Sequence, residues 1–288
     1  MSDPGRITHI SDTALWVACY RALETERPDA IFRDPYARRL AGERGFQILH
    51  QLPGGRKLSW PLVTRTAVMD EIILRSIAVD GIDTVLDLAA GLDARPWRLS
   101  LPPGLRWIDV DLPDMLDYKA SIMGAERPVC RYEPTRVDLA DGFARRELFR
   151  AVGASAKRVL VITEGLLIYL QPEQVTNLAR DLHDTPAIQF WLSDLASPGL
   201  LKMMEKSWAP SLRAGNAPVH FGPADAPGFF APLGWREIEF RATFAEGLRL
   251  GRTMPFAWFW VFLGKFASRE KQEEFKRFSG IALFQRAG

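Results

Sequence analysis

From Ile82 onward the chain alternates short β-branched or aliphatic runs with longer stretches of helical periodicity, and this alternation leaves few architectures open. The runs are IDTVLDL, LRWIDVDL, the weaker VCRYEPTRVDL, RVLVITEG and AIQFWLSDL. Strands that alternate with helices need right-handed crossovers, and crossovers build a parallel sheet with helices on both faces. The sequence therefore predicts a doubly wound, mostly parallel α/β fold. The helix after the fourth strand is the best marked, with Pro172 suited to a first helical position and Val175, Leu178 and Leu182 on one face.

Both ends depart from that pattern. Ser11, Asp12 and Thr13 offer N-cap side chains to ALWVACYRALETE, and Asp34-Pro35 repeats the signal before YARRLAG, with Gly42 where a C-cap belongs. A Pro/Gly-rich loop (LPGGRK) precedes a helix over 62–79 that Asp80-Gly81 ends. Residues 1–80 thus read as an N-terminal helical cap on a core of residues 81–288, the two forming one compact unit. At the other end WREIEF and IALFQ predict an antiparallel pair at one sheet edge, separated by an insertion that holds FAWFWVF. Such an aromatic block reads as core. The flanking Arg252, Lys265, Arg269 and Lys271 keep open a lid over an apolar substrate, or a docking surface for a lipid or partner.

Composition narrows the function classes. With 288 residues, 47% hydrophobic and 25% charged, the chain is an ordinary globular protein rather than a disordered or fibrous one. Cys19 and Cys130 are too few for a disulfide framework or a four-thiolate zinc site. A net charge of +2 with scattered Lys and Arg gives no basic stripe, so a nucleic-acid partner is not expected. The amino terminus, MSDPGRITHISD, lacks an apolar signal region, and the longest apolar run, Met254–Gly264, falls short of the roughly 20 residues of a membrane helix. The expectation is a cytoplasmic protein without a transmembrane segment.

In an open α/β sheet, ligands bind outside the carboxyl ends of the strands. Here those ends carry acids: Asp87, then Asp109 and Asp111, Asp138 and Asp141, Glu164, and Asp194. A single Asp after a strand is an ordinary turn residue or N-cap, but repetition across five strands points to a ligand with ribose hydroxyls, amines or positive charge. A pyrophosphate would be repelled. The first turn, Asp87-Leu88-Ala89-Ala90-Gly91-Leu92-Asp93, also lacks the G-x-G-x-x-G of dinucleotide binders. Asp111 lies about twenty residues past Gly91, where a second-strand acid reaches ribose hydroxyls. The combination favours S-adenosylmethionine, which has a ribose and a sulfonium but no phosphate.

From Thr13 to Leu182 the chain resembles the leucine carboxyl methyltransferase family and its bacterial S-adenosylmethionine-dependent relatives. The resemblance is carried by TALWVACYRALETERPDAIFRDPYA, TRTAVMD, VLDLAAGLDARPWRL, WIDVDLPDMLDYK and LVITEGLLIYL, in that order. It implies a class I methyltransferase fold with Rossmann-like topology, and Arg65 as the arginine that holds the cofactor's carboxylate, with Arg21 as a second basic residue reaching it. It further implies Asp87, Ala89 and Gly91 in the first motif and Asp111 and Leu112 at the ribose. Asp138 and Leu139 would flank the adenine, and Glu164 would lie near the amino group. The departure is Ala89, where members of the family usually carry glycine; its methyl would crowd the cofactor.

Methyl transfer to an ionised carboxylate needs no general base, whereas a hydroxyl or phenol acceptor does. Tyr169 and His220 are the candidate bases, and Arg252 a candidate partner for an acceptor carboxylate. The acceptor class is a small-molecule or peptide carboxylate or hydroxyl, and no metal is expected. Two alternatives stand beside this reading: a magnesium-dependent phosphotransferase using Asp109 and Asp111 as a D-x-D pair, and a methyltransferase fold kept as a non-catalytic scaffold.

Overall fold

The five predicted parallel strands are β1 (Thr84–Leu88), β2 (Arg106–Asp111), β3 (Arg131–Arg136), β4 (Val159–Thr163) and β5 (Ile188–Ala196) in the computed structural model, which describes residues 12–51, 59–214, 218–264, 266 and 268–288. Two more strands, β6 (Trp235–Ala242) and β7 (Ser279–Arg286), complete a sheet of order β3-β2-β1-β4-β5-β7-β6. Chain order runs outward from β1 to β3 and returns at β4. The switch point between β1 and β4 opens a crevice at their carboxyl ends.

Burial on both faces explains why these strands read as aliphatic runs. Every residue of β1 and β4 is buried. On one face Leu86, Leu88 and Val110 pack against Phe149 and Val152 of α6 (Gly142–Ser155) and Val175, Leu178 and Leu182 of α7 (Pro172–His183). On the other, Val85, Trp107, Leu160 and Ile162 pack against Val68, Met69, Ile72 and Ile73 of α3 (Ser59–Val79). Helix α3 therefore covers the sheet. Helices α1 (Asp12–Thr25) and α2 (Ala37–Gln51) form a separate cluster around Leu92, Ala94, Trp97 and Met115, which places them over the turn that follows β1. Gly42 does not end a helix as expected. It kinks α2 at φ 56°, a left-handed value that glycine adopts freely, and the helix continues to Gln51.

The antiparallel pair forms as predicted, with β7 inserted between β5 and β6. Trp191 fastens this extension to the parallel sheet: its ring meets Phe230 at 5.2 Å and Trp235 at 5.5 Å, and its indole N–H donates to Thr163 Oγ1 at 2.9 Å. The aromatic block is not core. Phe256 is 72% and Trp258 69% exposed, at and before α11 (Ala257–Gly264), and among the described side chains of this segment those that line the central cavity are the preceding Met254 and Pro255. Ser11, the LPGGRK loop and Lys265 lie outside the described residues. Among the described residues no helix is long and apolar enough to cross a membrane.

Candidate active site

The turn after β1 is held by backbone and by one carboxylate. Ala90 N–H donates to Val110 O at 3.2 Å, and Gly91 N–H to Asp111 Oδ2 at 2.7 Å; the other Asp111 oxygen accepts Leu112 N–H at 2.7 Å. The chain passes through left-handed conformations at Ala89 (φ 55°) and Gly91 (φ 52°). At Gly91 a Cβ would stand 3.3 Å from Ala14 Cβ, so the missing side chain keeps a tight cradle beneath α1. Ala89 has no such licence: its positive φ strains an L side chain and explains why a glycine suits this position.

A cavity of about 1320 Å³ opens over the strand ends, and Asp87, Asp111, Asp138, Glu164 and Asp194 all line it. Ala89, Gly91, Leu112, Leu139, Arg21, Arg65 and Tyr169 line it as well. The acids that the sequence grouped together are thus split. Asp109 is fully buried and spends its oxygens on Lys119 Nζ (2.5 Å), Tyr132 OH (2.8 Å) and Trp107 Nε1 (3.0 Å). It cannot serve with Asp111 as a D-x-D cation site, and the phosphotransferase reading falls with it. Asp141 is an N-cap, accepting the backbone N–H groups of Phe143 and Ala144.

Acids and arginines form a continuous buried lattice on one wall. Arg65 joins Glu164 (3.0 Å) to Asp194 (2.8 Å), and Arg95 joins Glu164 (2.8 Å) to Asp93 (2.6 Å) and Asp70 (2.6 Å). Arg98 meets the same Asp70 at 2.6 Å. Arg21 pairs with Asp34 at 2.9 Å and donates to Leu92 O at 2.6 Å, so it braces the turn from α1. Burial alone would raise Glu164, but the Arg95 and Arg65 guanidiniums overcome it and hold the carboxyl below its usual range. The same opposition lowers Asp93, with Arg95 the strongest partner. At Asp87 the charges of Arg95 and Lys119 act the same way but do not offset the opposing causes. Burial, then the charges of Asp93 and Asp109, push it well above the ordinary carboxylate range.

Among the described residues, Asp87 and the arginines of this lattice hold three buried polar atoms without a hydrogen-bond partner: Arg65 Nε and Arg98 Nε, both donors, and Asp87 Oδ2, an acceptor; of these, the ones on residues that line the cavity are Arg65 Nε and Asp87 Oδ2. Buried polar groups are rarely left unpaired unless a ligand completes them. One unspent donor and one unspent acceptor match the carboxylate and ammonium of an α-amino acid, the end that S-adenosylmethionine would present. The residues present fit that group.

Two candidates from the sequence lie elsewhere. His220 is exposed, its backbone N–H bound to Ile168 O at 2.8 Å, and it does not line the cavity. Arg252 is also absent from the lining; its guanidinium holds Glu24 at 2.8 Å and the Asp29 carbonyl at 2.5 Å, tying the C-terminal insertion to α1. Tyr169 does reach the cavity, and burial pushes its phenol up. Arg95, at the centre of the lattice, was not singled out by sequence reasoning although it stands inside the DARPWR motif.

A seven-stranded sheet with β7 antiparallel, an acidic β2 end and a tight β1 turn defines the class I methyltransferase fold. The leucine carboxyl methyltransferase family model matches residues 14–183. A Streptomyces coelicolor protein described as "Putative S-adenosyl-L-methionine-dependent methyltransferase" is 34% identical over 234 residues, covering 77% of this chain and 82% of the relative. One from Streptomyces avermitilis with the same description is 36% identical over 235 residues, with 77% and 82% covered. Among solved structures, a "putative methyltransferase" from Thermobifida fusca aligns at TM-score 0.58 and 15% identity, covering 100% of this chain and 97% of that one, and supports the fold. The chain belongs to the leucine carboxyl methyltransferase family, and its cofactor is S-adenosylmethionine.

Proposed function

We propose that this protein transfers a methyl group from S-adenosylmethionine to the oxygen of a carboxylate. The observation that carries the reading is the pair of unspent buried atoms, Arg65 Nε and Asp87 Oδ2, on a cavity wall shaped by the family's own motifs. Arg65 would hold the cofactor's carboxylate and Asp87 its ammonium. Asp111 already accepts two backbone N–H groups, and a carboxylate has about four acceptor sites, so it can also take the ribose hydroxyls. Asp138 accepts Ala140 N–H with one oxygen, leaving the other for the adenine amine.

When bound, the cofactor supplies a methyl carbon activated by a sulfonium: an electron pair of the acceptor oxygen forms the new O–C bond as the C–S pair stays on sulfur. The protein's share is alignment and exclusion of water. A carboxylate acceptor is favoured because a base is hard to find. Among the described residues lining the cavity there is neither His nor Lys, Glu164 and Asp194 are held by Arg65, the unspent oxygen of Asp87 would be taken by the cofactor's ammonium, and the Tyr169 phenol keeps its proton.

The test is calorimetric titration with S-adenosylhomocysteine on wild type and Asp111→Ala, with NAD and magnesium as controls. Saturable binding near micromolar, about 8 kcal/mol, that weakens in the variant supports the reading. No binding by the wild type overturns it.

A further inference from the structure

The cavity is larger than one ligand requires. At about 1320 Å³ it exceeds the roughly 300–1,000 Å³ that encloses a single small molecule. Its walls also change character along the sheet. The acids Asp87, Asp111, Asp138 and Glu164 belong to the strand ends of β1 to β4, on one side. Beyond β5 the lining comes from α8 (Pro198–Ala214), from α10 (Thr243–Arg249), from the segment before α11 and from α12 (Arg269–Lys276) with the residues after it. There it is apolar: Leu200, Met203, Met204, Phe244, Met254 and Phe275.

This half is a built chamber. Trp60 meets Phe244 edge to face at 6.2 Å, and Phe244 meets Phe275 at 5.2 Å, which gives a rigid aromatic wall running from α3 to α12. The methionines opposite are unbranched and adaptable, suited to an apolar body of variable shape. Met203 and Phe275 are 47% and 49% exposed although both line the cavity, which puts them at its mouth. The polar groups on this side, Thr243 of α10 and Ser279 of β7, are too few to satisfy the amides of a buried peptide, whose unpaired N–H and C=O groups would lose their water.

Resting on the methyl-transfer reading above, we infer that the acceptor is a lipophilic monocarboxylic acid: its apolar body fills the α8–α10–α12 chamber and its carboxylate would face the positively charged sulfonium of the bound cofactor, which offsets the repulsion of the strand-end acids. The juxtaposition of an acidic cofactor half with an apolar half selects an amphiphile with one polar end. A peptide carboxyl terminus, polar along its length, does not match the chamber.

The experiment is calorimetric titration of n-alkanoic acids from hexanoate to dodecanoate, and of a leucine-terminated hexapeptide, into the protein with and without saturating S-adenosylhomocysteine. The double variant Met203→Ser, Phe275→Ser, changed at two half-exposed positions, is titrated alongside. Each methylene added to the acid is expected to tighten binding about fourfold. The double variant is expected to lose at least about tenfold in dodecanoate affinity while its S-adenosylhomocysteine affinity stays the same. Affinity independent of chain length, equal binding by the double variant, or tighter binding of the peptide overturns the inference. Each of those results leaves the cofactor reading standing if S-adenosylhomocysteine still binds, and absence of that binding is the separate failure of the cofactor reading.

Discussion

Asp111 accepts the backbone N–H of Gly91 at 2.7 Å, so the acid at the end of β2 shapes the turn after β1 as well as facing the cavity. One carboxylate links the two motifs. Asp111→Asn keeps the side chain's size but replaces one accepting oxygen by a donor that faces Gly91 N–H or Leu112 N–H. A hydrogen bond lost to a charged group is worth about 1.5–3 kcal/mol, so S-adenosylhomocysteine affinity is expected to fall at least about tenfold in calorimetry. Unchanged affinity would show that the carboxylate acts on neither the turn nor the ligand.

Ala89 gives a stability prediction of unusual sign. In a left-handed conformation an alanine costs about 1–2 kcal/mol, whereas a glycine there costs only the extra entropy of the unfolded chain, about 0.4–1 kcal/mol. With φ at 55°, Ala89→Gly should leave the protein as stable as wild type or raise its urea midpoint. A loss of about 1 kcal/mol, usual for Ala→Gly in regular structure, would mean that the strain is absent.

Arg252 illustrates how a site guess made from sequence is corrected by packing. Its side chain and that of Glu24 are 10% and 3% exposed, and the pair spans more than two hundred residues of chain. Arg252→Ala removes the buried cation of Glu24 and leaves its carboxylate to Ile31 N–H at 2.9 Å and the half-exposed Arg27 at 3.7 Å. Breaking a buried pair on one side costs about 3–5 kcal/mol, so a large drop in the urea midpoint is expected, largely restored by adding Glu24→Gln. Cofactor affinity, measured where both variants are folded, should stay within about twofold of wild type. A selective loss of affinity with full stability would return Arg252 to the site.

Asp87 makes stability and binding depend on pH. Its folded carboxyl is raised by burial and by Asp93 and Asp109, the last directly beside it in the sheet register, while the unfolded carboxyl titrates near 4. Its contribution is therefore complete below the unfolded value, and stability falls as pH rises from there toward the folded value, because the unfolded chain has already released the proton. Asp87→Asn should flatten that decline. A ligand ammonium arriving at Asp87 favours the carboxylate, so in that window binding releases a proton. Titration of S-adenosylhomocysteine in buffers of different ionisation enthalpy should detect the release in wild type and not in Asp87→Asn.

The strands, the switch point and the cavity acids were legible because each depends on residues close in sequence: a buried strand is an aliphatic run, and the position at its end is read directly. Where a strand-end acid finds its partner was not legible. Asp109 and Asp111 look alike in WIDVDL, yet Asp109 is occupied by Lys119 from α5 (Pro113–Met123) and Tyr132 from β3, ten and twenty-three residues away. Arg95 has one partner close in the chain, Asp93, but the other two, Asp70 and Glu164, lie far to either side of it and meet only in the fold, so its central place in the lattice was not legible. The aromatic block misled for the opposite reason. Its composition is that of a core, but α3, α6 and α7 pack on the two faces of the parallel sheet, and Trp258 and Phe262 of α11 stay exposed.

Arg65 offers the sharpest separation of structure from recognition. Its two terminal nitrogens bind Glu164 and Asp194, and its Nε–H remains unspent. Arg65→Lys keeps the positive charge between the two acids, and Asp194 retains Gly165 N–H at 2.7 Å, so the fold should survive. A lysine is a single point of charge and cannot hold two carboxylates while presenting a third, directed donor. The variant should therefore lose affinity for S-adenosylhomocysteine by at least about tenfold. Adenosine, which lacks the amino-acid end, should bind wild type and variant alike. Equal losses for both ligands would locate the defect in the cavity wall as a whole, and no loss for either would remove Arg65 from the cofactor's carboxylate.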